Sequence, residues 1–308
     1  MTIAPVWQTF LFGSCACVAI AMQATMDLNP SSQFLILAPL IAVFGLPHGA
    51  LDLPIAERLW PLEGVSGKLK FIASYVGLIL LVIAVWLVAP GVALSAFLAY
   101  SALHFSGDWA GTAAPLRWAG GVAAIGAPAL LHPTEVTALF GHLAPLPAAA
   151  IAADAAALAG ALAIIPLALT LAIRRRLSQP VIELMILWIA AWLLPPLLFF
   201  GIYFCSLHSI RHYRSSIRRM PSARRALFTA IGLSSIVALA GVSFVLVRSV
   251  ADPAVPFELG LQAVFIGLAA LTVPHMILVE RFDRRLFVTR VGQKNTGDGI
   301  EPLPPVSA

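Results

Sequence analysis

The sequence predicts an all-α, polytopic transmembrane helical bundle of about eight spans. Three observations carry this expectation. The chain of 308 residues is 60% hydrophobic and 11% charged, whereas soluble domains carry roughly 25% charged residues. Its mean hydropathy is +0.94. Its apolar residues also fall into runs of the length a helix needs to cross hydrocarbon, about 20 residues. The net charge of +5 does not point to nucleic acid. Lys and Arg gather where apolar runs end, as in Arg174-Arg175-Arg176 and from Arg211 to Arg225, which is the pattern of cytoplasmic loops and lipid headgroup contacts.

The first run, 6–26, has no Lys or Arg before it, so it predicts a span and no cleavable signal peptide. The run 33–56 follows. A polar loop at 57–69, with Arg58, Lys68 and the adjoining Lys70, separates it from the runs 70–90 and 92–112. The run 149–173 overlaps an Ala-rich stretch at 148–163, whose small side chains let helices approach closely. The runs 181–207, 226–248 and 257–280 complete the set. Residues 1–285 then form one integral-membrane domain, and 286–308 read as a disordered, basic and Pro-rich tail. Cys15, Cys17 and Cys205 all lie in apolar runs, so neither a disulfide framework nor a zinc–thiolate site is expected.

Residues 117–147 read two ways, as a ninth span or as a re-entrant hairpin. Trp118 to Leu131 is apolar but short, and Gly120, Gly121, Gly126 and Pro128 interrupt it. Two arguments favour the hairpin. Eight spans with both termini in the cytoplasm put the loop 57–69, the cluster 211–225 and the C-terminal tail on one side, as the positive-inside rule prefers. Eight spans also bring the ends of four histidine-bearing runs to the same side of the membrane. A multi-pass protein of the cell (inner) membrane is expected.

Those four runs carry the chemistry. The chain has seven histidines. Five of them lie in Pro47-His48-Gly49-Ala50-Leu51-Asp52, His104-Phe105-Ser106-Gly107-Asp108, His208-Ser209-Ile210-Arg211-His212 and Pro274-His275. Burying a polar ring in hydrocarbon costs several kcal/mol unless it is paired, and an ionisable group in a span is a functional-site hypothesis by default. A lone histidine in an apolar run is ordinarily a hydrogen-bonded packing residue. Five on four segments predict one metal site. His132 and His142 lie beside Pro and Gly in the ambiguous segment and read as ordinary interfacial histidines. The Arg run 211–225 reads as a solvated face.

Three motifs share one spacing. His48 and Asp52, His104 and Asp108, and His208 and His212 are each four apart, which places them on one helix face. His208 and His212 then ligate one ion from a single helix, and His48 and His104 each bring a nitrogen from another. Asp52 and Asp108 are placed to accept the second ring N–H of a ligating histidine, which fixes its tautomer. All-imidazole ligation suits iron, copper or zinc. Tyr100, Phe105 and Trp109 flank His104, while Phe200, Tyr203 and Phe204 precede His208. Lying within two turns of the histidines, these rings are candidates for the walls of a flat apolar tunnel that admits a substrate from the bilayer.

The motifs resemble the Brp/Blh family, the bacterial and archaeal membrane β-carotene 15,15′-dioxygenases that form retinal. The resemblance rests on Gly45 to Asp52, Tyr100 to Asp108, Leu207 to His212 and Val273-Pro274-His275, and runs from about residue 30 to 285. It implies an Fe(2+) ion held by His48, His104, His208 and His212, with His275 as an additional ligand or a supporting residue. It implies cleavage of the central 15,15′ double bond of β-carotene by O2 to two all-trans-retinal, a product suited to a rhodopsin-type partner. A membrane di-iron hydroxylase or desaturase stands as the alternative enzyme, though such sites need around eight histidines. A haem carrier or metal transporter is the non-enzymatic alternative. A transporter would spread carboxylates along a path, and here the polar groups gather at one end.

Overall fold

The computed structural model of the protein describes residues 5–41, 44, 52–60, 62, 64–173, 177–217, 232 and 256–296. The described residues are helical and contain no strand. The helices are α1 (Val6–Met26), α2 (Pro30–Leu40), α3 (Asp52–Leu59), α4 (Gly64–Val88), α5 (Pro90–Phe105), α6 (Ala114–Leu131), α7 (Pro133–Gly141), α8 (Leu146–Ile173), α9 (Gln179–Leu193), α10 (Pro196–Tyr203), α11 (Ser209–Ile217) and α12 (Pro256–Thr296). A 3₁₀ turn, Ser106–Trp109, follows α5, and a π turn, Phe204–His208, joins α10 to α11.

Proline sets many of the boundaries. Pro30, Pro90, Pro133 and Pro196 each occupy the first residue of their helix, where the missing N–H is no loss. Asn29 caps α2 by accepting the Ser32 N–H at 3.0 Å. The Pro195-Pro196 pair divides the run 181–207. Leu194 is extended at φ −109°, ψ 141°, as a residue before proline prefers.

Four helices are long and apolar enough to cross a membrane: Val6–Met26, Gly64–Val88, Leu146–Ile173 and Phe257–Phe282. The pair α6–α7, bent by 105°, makes up to five. The expected number of about eight is therefore not reached among the described residues. The run 181–207 is divided into shorter helices, α5 is 16 residues long, and most of 42–51 and of 226–248 lies outside the described residues. Residues 117–147 form the two helices of the bent pair, not one straight span. Helix α12 continues to Thr296, past residue 286 where the sequence predicts a disordered tail, and 297–308 lie outside the described residues.

Small residues bring the helices around the site into close contact. On α8, Ala149, Ala152, Ala153, Ala156, Gly160 and Ala163 are buried. Gly126 of α6 and Gly160 of α8 meet backbone to backbone, leaving no room for a Cβ on either. One turn earlier, a Cβ on Gly121 would sit 2.5 Å from the Ser106 N, and one on Gly120 would strike the ring of Trp109. Glycine thus presses α6 onto the corner where α5 ends, and that corner carries His104 and Asp108. The turn after α7 is pinned from two sides: Trp86 Nε1 donates to the Leu143 carbonyl at 3.0 Å, and Gln262 Nε2 donates to the His142 carbonyl at 2.7 Å. Exposed Leu80, Leu81, Leu87 and Val88 on α4 and Leu158 and Leu162 on α8 face outward as lipid-facing side chains do.

Candidate metal centre

Four histidines meet inside the bundle. Nitrogens of His104, His212 and His275 all lie within 4.8 Å of one another. The His275 and His212 Nε2 atoms are 3.3 Å apart. His208 joins them, its ring centroid 4.7 Å from that of His104 and 6.0 Å from that of His212. Each arrives by a different local device. His104 rides the last turn of α5. His275 follows Pro274 inside α12. His208 ends the π turn, where the Ser209 N–H reaches back five residues to the Phe204 carbonyl. Such single-turn bulges are frequent at functional sites, and this one shifts the phase of the helix carrying His212 against α10.

Carboxylates orient two of the rings, though not the two their spacing suggests. Asp108 was expected to serve His104. It lies 3.1 Å and 3.3 Å, through its two oxygens, from Nδ1 of His208. The reason is the tightening to 3₁₀ after Phe105. At about 120° per residue, positions i and i+4 no longer stack on one face. Asp52 Oδ1 lies 2.6 Å from Nδ1 of His275 on α12. His48, the partner its spacing gave Asp52, lies outside the described residues. Both contacts commit Nδ1 to the carboxylate and leave Nε2 as the nitrogen for the centre. Each carboxylate also accepts a tyrosine hydroxyl: Tyr75 donates to Asp52 Oδ2 at 2.7 Å, and Tyr203 to Asp108 Oδ2 at 2.6 Å.

A second polar group lies behind Asp108. Arg211 donates to the Asp108 carbonyl at 2.9 Å and pairs with Glu183 at 2.5 Å. Glu183 also accepts from Thr9 Oγ1 at 2.5 Å and Gln179 Nε2 at 3.1 Å, and Gln8 Oε1 accepts from Arg211 at 3.4 Å. The side chains of Arg211 and Glu183 are 9% and 1% exposed. Arg211 therefore does not belong to a solvated face, because its charge is matched inside the bundle. Glu183 was missed in the sequence, yet it is the lone acidic residue of the run 181–207. The rule that singles out the histidines applies to it equally. Tyr75 carries no such signal. His132 and His142 stand apart from the cluster. His132 contacts the Ala191 carbonyl at 2.9 Å, and His142 lies 3.4 Å from Glu258.

The aromatic residues divide. Phe105 and Phe200 line a cavity of about 80 Å³ together with Phe97, Phe140, Phe265 and Ser101, the last being its one polar side chain. Phe105 joins this cavity to the cluster, since its ring packs edge-on against His208 at 4.8 Å. Trp109 and Tyr203 are fully buried and stack on each other at 6.2 Å. Phe204 stacks on His208 at 5.5 Å. Those three and the partly buried Tyr100 do not line the cavity.

The donor set fits a metal ion. With metal–imidazole bonds of about 2.1 Å, two nitrogens on one ion sit about 3.0 Å apart at 90° and about 3.4 Å apart at the tetrahedral angle. The His212–His275 spacing of 3.3 Å falls between these values. Two nitrogens in trans would be about 4.2 Å apart, so a small ring rotation closes even the widest spacing in the group. Neutral imidazoles, two of them backed by carboxylates, form such a centre.

Comparison with known proteins identifies the family. A sequence model of the family described as beta-carotene 15,15′-dioxygenase matches residues 39–283. The beta-carotene 15,15′-dioxygenase of uncultured marine bacterium 66A03 is 34% identical over 282 residues, covering 83% of this chain and 96% of that protein. The probable beta-carotene 15,15′-dioxygenase Blh of Halobacterium salinarum is 28% identical over 313 residues, covering 84% and 87%. No solved structure matches. The match spans all four histidine motifs and both carboxylates, and the chain belongs to the beta-carotene 15,15′-dioxygenase family.

Proposed function

We propose that this chain cleaves β-carotene with O2 at the central 15,15′ double bond, giving two molecules of all-trans-retinal. The observation that carries the reading is the join between a carboxylate-backed histidine cluster and an apolar cavity, made by Phe105. The bond broken is C15=C15′, and each of these carbons takes one oxygen atom of O2. No proton donor or acceptor is required by that balance, which suits a site whose cavity wall has Ser101 as its one polar side chain.

The ion is Fe(2+). Its ligands are drawn from His48, His104, His208, His212 and His275, with His104, His212 and His275 at the centre of the set. Iron supplies the activation of O2 that zinc, having no redox chemistry, does not. The protein residues do the rest. Asp52 and Asp108 hold Nδ1–H of His275 and His208 and turn Nε2 inward. Phe105 keeps the cluster side of the cavity apolar and excludes water. The rings of Phe97, Phe140, Phe200 and Phe265 suit a flat polyene and place one double bond near the centre, so catalysis is largely positioning. Sites for drug-sized molecules measure roughly 300–1,000 Å³, so a cavity of about 80 Å³ must widen to admit the chain of a carotenoid. The bent pair α6–α7 supplies Pro128, Val136, Leu139 and Phe140 to its wall, and its movement is the simplest route to that widening.

The protein acts in the cell (inner) membrane with both termini in the cytoplasm, within a catalytic domain at 1–285. It takes β-carotene from the surrounding lipid and passes retinal to a rhodopsin-type protein. Expression in bacteria that accumulate β-carotene tests the reading. Loss of the carotene colour with a matching rise in extracted retinal is expected. Accumulation of hydroxylated carotenoids without retinal would replace the reading with a hydroxylase.

A further inference from the structure

Two tyrosines repeat one arrangement at the centre, and the family chemistry does not call for them. Tyr75 on α4 donates to Asp52 Oδ2 at 2.7 Å, and Asp52 Oδ1 lies 2.6 Å from His275 Nδ1. Tyr203 on α10 donates to Asp108 Oδ2 at 2.6 Å, and the same oxygen lies 3.1 Å from His208 Nδ1. The partners are 23 and 223 residues apart in the first series and 95 and 100 in the second. Four separate contacts between distant segments therefore build the same chain of donors twice. Local sequence does not produce that.

Physical chemistry gives the hydroxyls a task. A carboxylate accepts several hydrogen bonds, and one removed from water needs more than a single imidazole N–H to offset its lost hydration. A second donor does more than solvate. By binding one carboxylate oxygen, it fixes rotation of the group and aims the other lone pairs at Nδ1. It also draws charge from the carboxylate, so the proton stays on the imidazole Nδ1 and the Nε2 lone pair stays available. Hydrogen bonds to charged groups are the strong ones, and chains of them reinforce one another at low local dielectric.

We propose that Tyr75 and Tyr203 are positioning residues of the metal centre, each acting through its carboxylate on one histidine: Tyr75 through Asp52 on His275, and Tyr203 through Asp108 on His208. The inference rests on the metal reading of the cluster and not on the identity of the substrate.

The test uses full-length protein purified in detergent and stripped of metal, with Co(II) alone as the probe. Its affinity is read by competition with a chelator and its ligand field by the visible absorption bands. Loss of a partner that orients a ligand costs about 10–100-fold in metal affinity when the carboxylate itself is removed. Tyr75→Phe and Tyr203→Phe remove only the hydroxyl one step further out, so each should weaken Co(II) binding by roughly 3–10-fold and shift its absorption. The coupling decides between positioning and packing. Tyr75→Phe should add less than about twofold in an Asp52→Asn background, yet keep its full effect in an Asp108→Asn background. Tyr203→Phe should show the reverse pattern. Unchanged Co(II) affinity in both tyrosine variants overturns the proposal. So does an equal loss in the matched and unmatched backgrounds, which is what a packing role gives. Tyr203 is fully buried. If its variant fails to fold, Tyr75, half-buried on α4, decides alone. A wild-type protein that binds no Co(II) refutes the metal centre itself, and that result is distinct from a failure of the tyrosine variants.

Discussion

Replacing Gly121 with alanine should damage the centre without touching any of its side chains. A Cβ at this position would lie 2.5 Å from the Ser106 N, 2.8 Å from its Cα, and closer still to the Ala102 carbonyl oxygen. All three atoms are backbone, so no rotamer change relieves the clash. Ordinary contact begins near 3.4 Å and the Ala102 oxygen would lie at 2.2 Å, so α6 and the end of α5 must separate by roughly 1.2 Å at this point. His104 and Asp108 lie within two residues of Ser106, and misplacement of about 1 Å costs on the order of 100-fold in rate. Gly126→Ala is the matched control. Its Cβ would lie 2.6 Å from the Ala156 carbonyl oxygen and from Gly160 on α8, a backbone clash of the same kind made against α8 and not against the end of α5. Overpacking of this kind costs typically 1–3 kcal/mol of stability in either variant. The assay is retinal formed per folded protein, with folded protein measured by size-exclusion chromatography and thermal unfolding in detergent. Gly121→Ala should lose about 100-fold in activity and Gly126→Ala less than about tenfold. Equal losses in the two would refute the reasoning, since the effect would then be general destabilisation. Full activity in Gly121→Ala would show that α6 does not set the corner.

Alanine at His104, His212 or His275 should abolish retinal formation and metal retention together, as measured by elemental analysis of the purified protein. Asp52→Asn and Asp108→Asn should keep the metal but weaken its binding by about 10–100-fold in chelator competition. Arg211→Met should destabilise the protein by about 3–5 kcal/mol by leaving Glu183 buried and unpaired, while Arg211→Met with Glu183→Leu should recover most of the loss in unfolding experiments. Since Ser101 is the one polar side chain on the cavity wall, a ring-hydroxylated carotenoid should be cleaved more slowly than β-carotene. The penalty should not exceed about 100-fold, because an apolar pocket rejects an added hydroxyl only weakly.

The helical membrane class was legible because composition and run length suffice for it. So was the convergence of His104, His208, His212 and His275, since a histidine in an apolar run needs a partner and three of the four runs offered each other one; His48, on the fourth, lies outside the described residues. The helix boundaries were less legible. Hydropathy does not register that Pro195-Pro196 ends one helix and starts another, so 181–207 read as a single span. The i,i+4 reading of Asp108 failed for a geometric reason, because it assumed an α-helix through a turn that tightens to 3₁₀. Its true partner, His208, is 100 residues away, and no local pattern reports such a pairing. Tyr75 was invisible for the same reason, and Tyr203 read as a tunnel wall because a ring beside a histidine says nothing of where its hydroxyl points. Arg211 was masked by its neighbours. It opens a run of arginines that continues to Arg225, and the buried Glu183, with Gln8 and the Asp108 carbonyl, accounts for its place inside the bundle.

The most direct test of the central claim is metal add-back to purified, chelator-stripped protein supplied with β-carotene in detergent micelles. Retinal and remaining β-carotene are quantified under air and under nitrogen. Fe(2+) under air should restore activity, with two retinal formed per β-carotene consumed. Zn(2+) should not, nor should Fe(2+) under nitrogen, and His104→Ala should stay inactive with Fe(2+) under air. Retinal formation by the stripped enzyme, or equal activity with Zn(2+), would contradict an iron centre on these histidines.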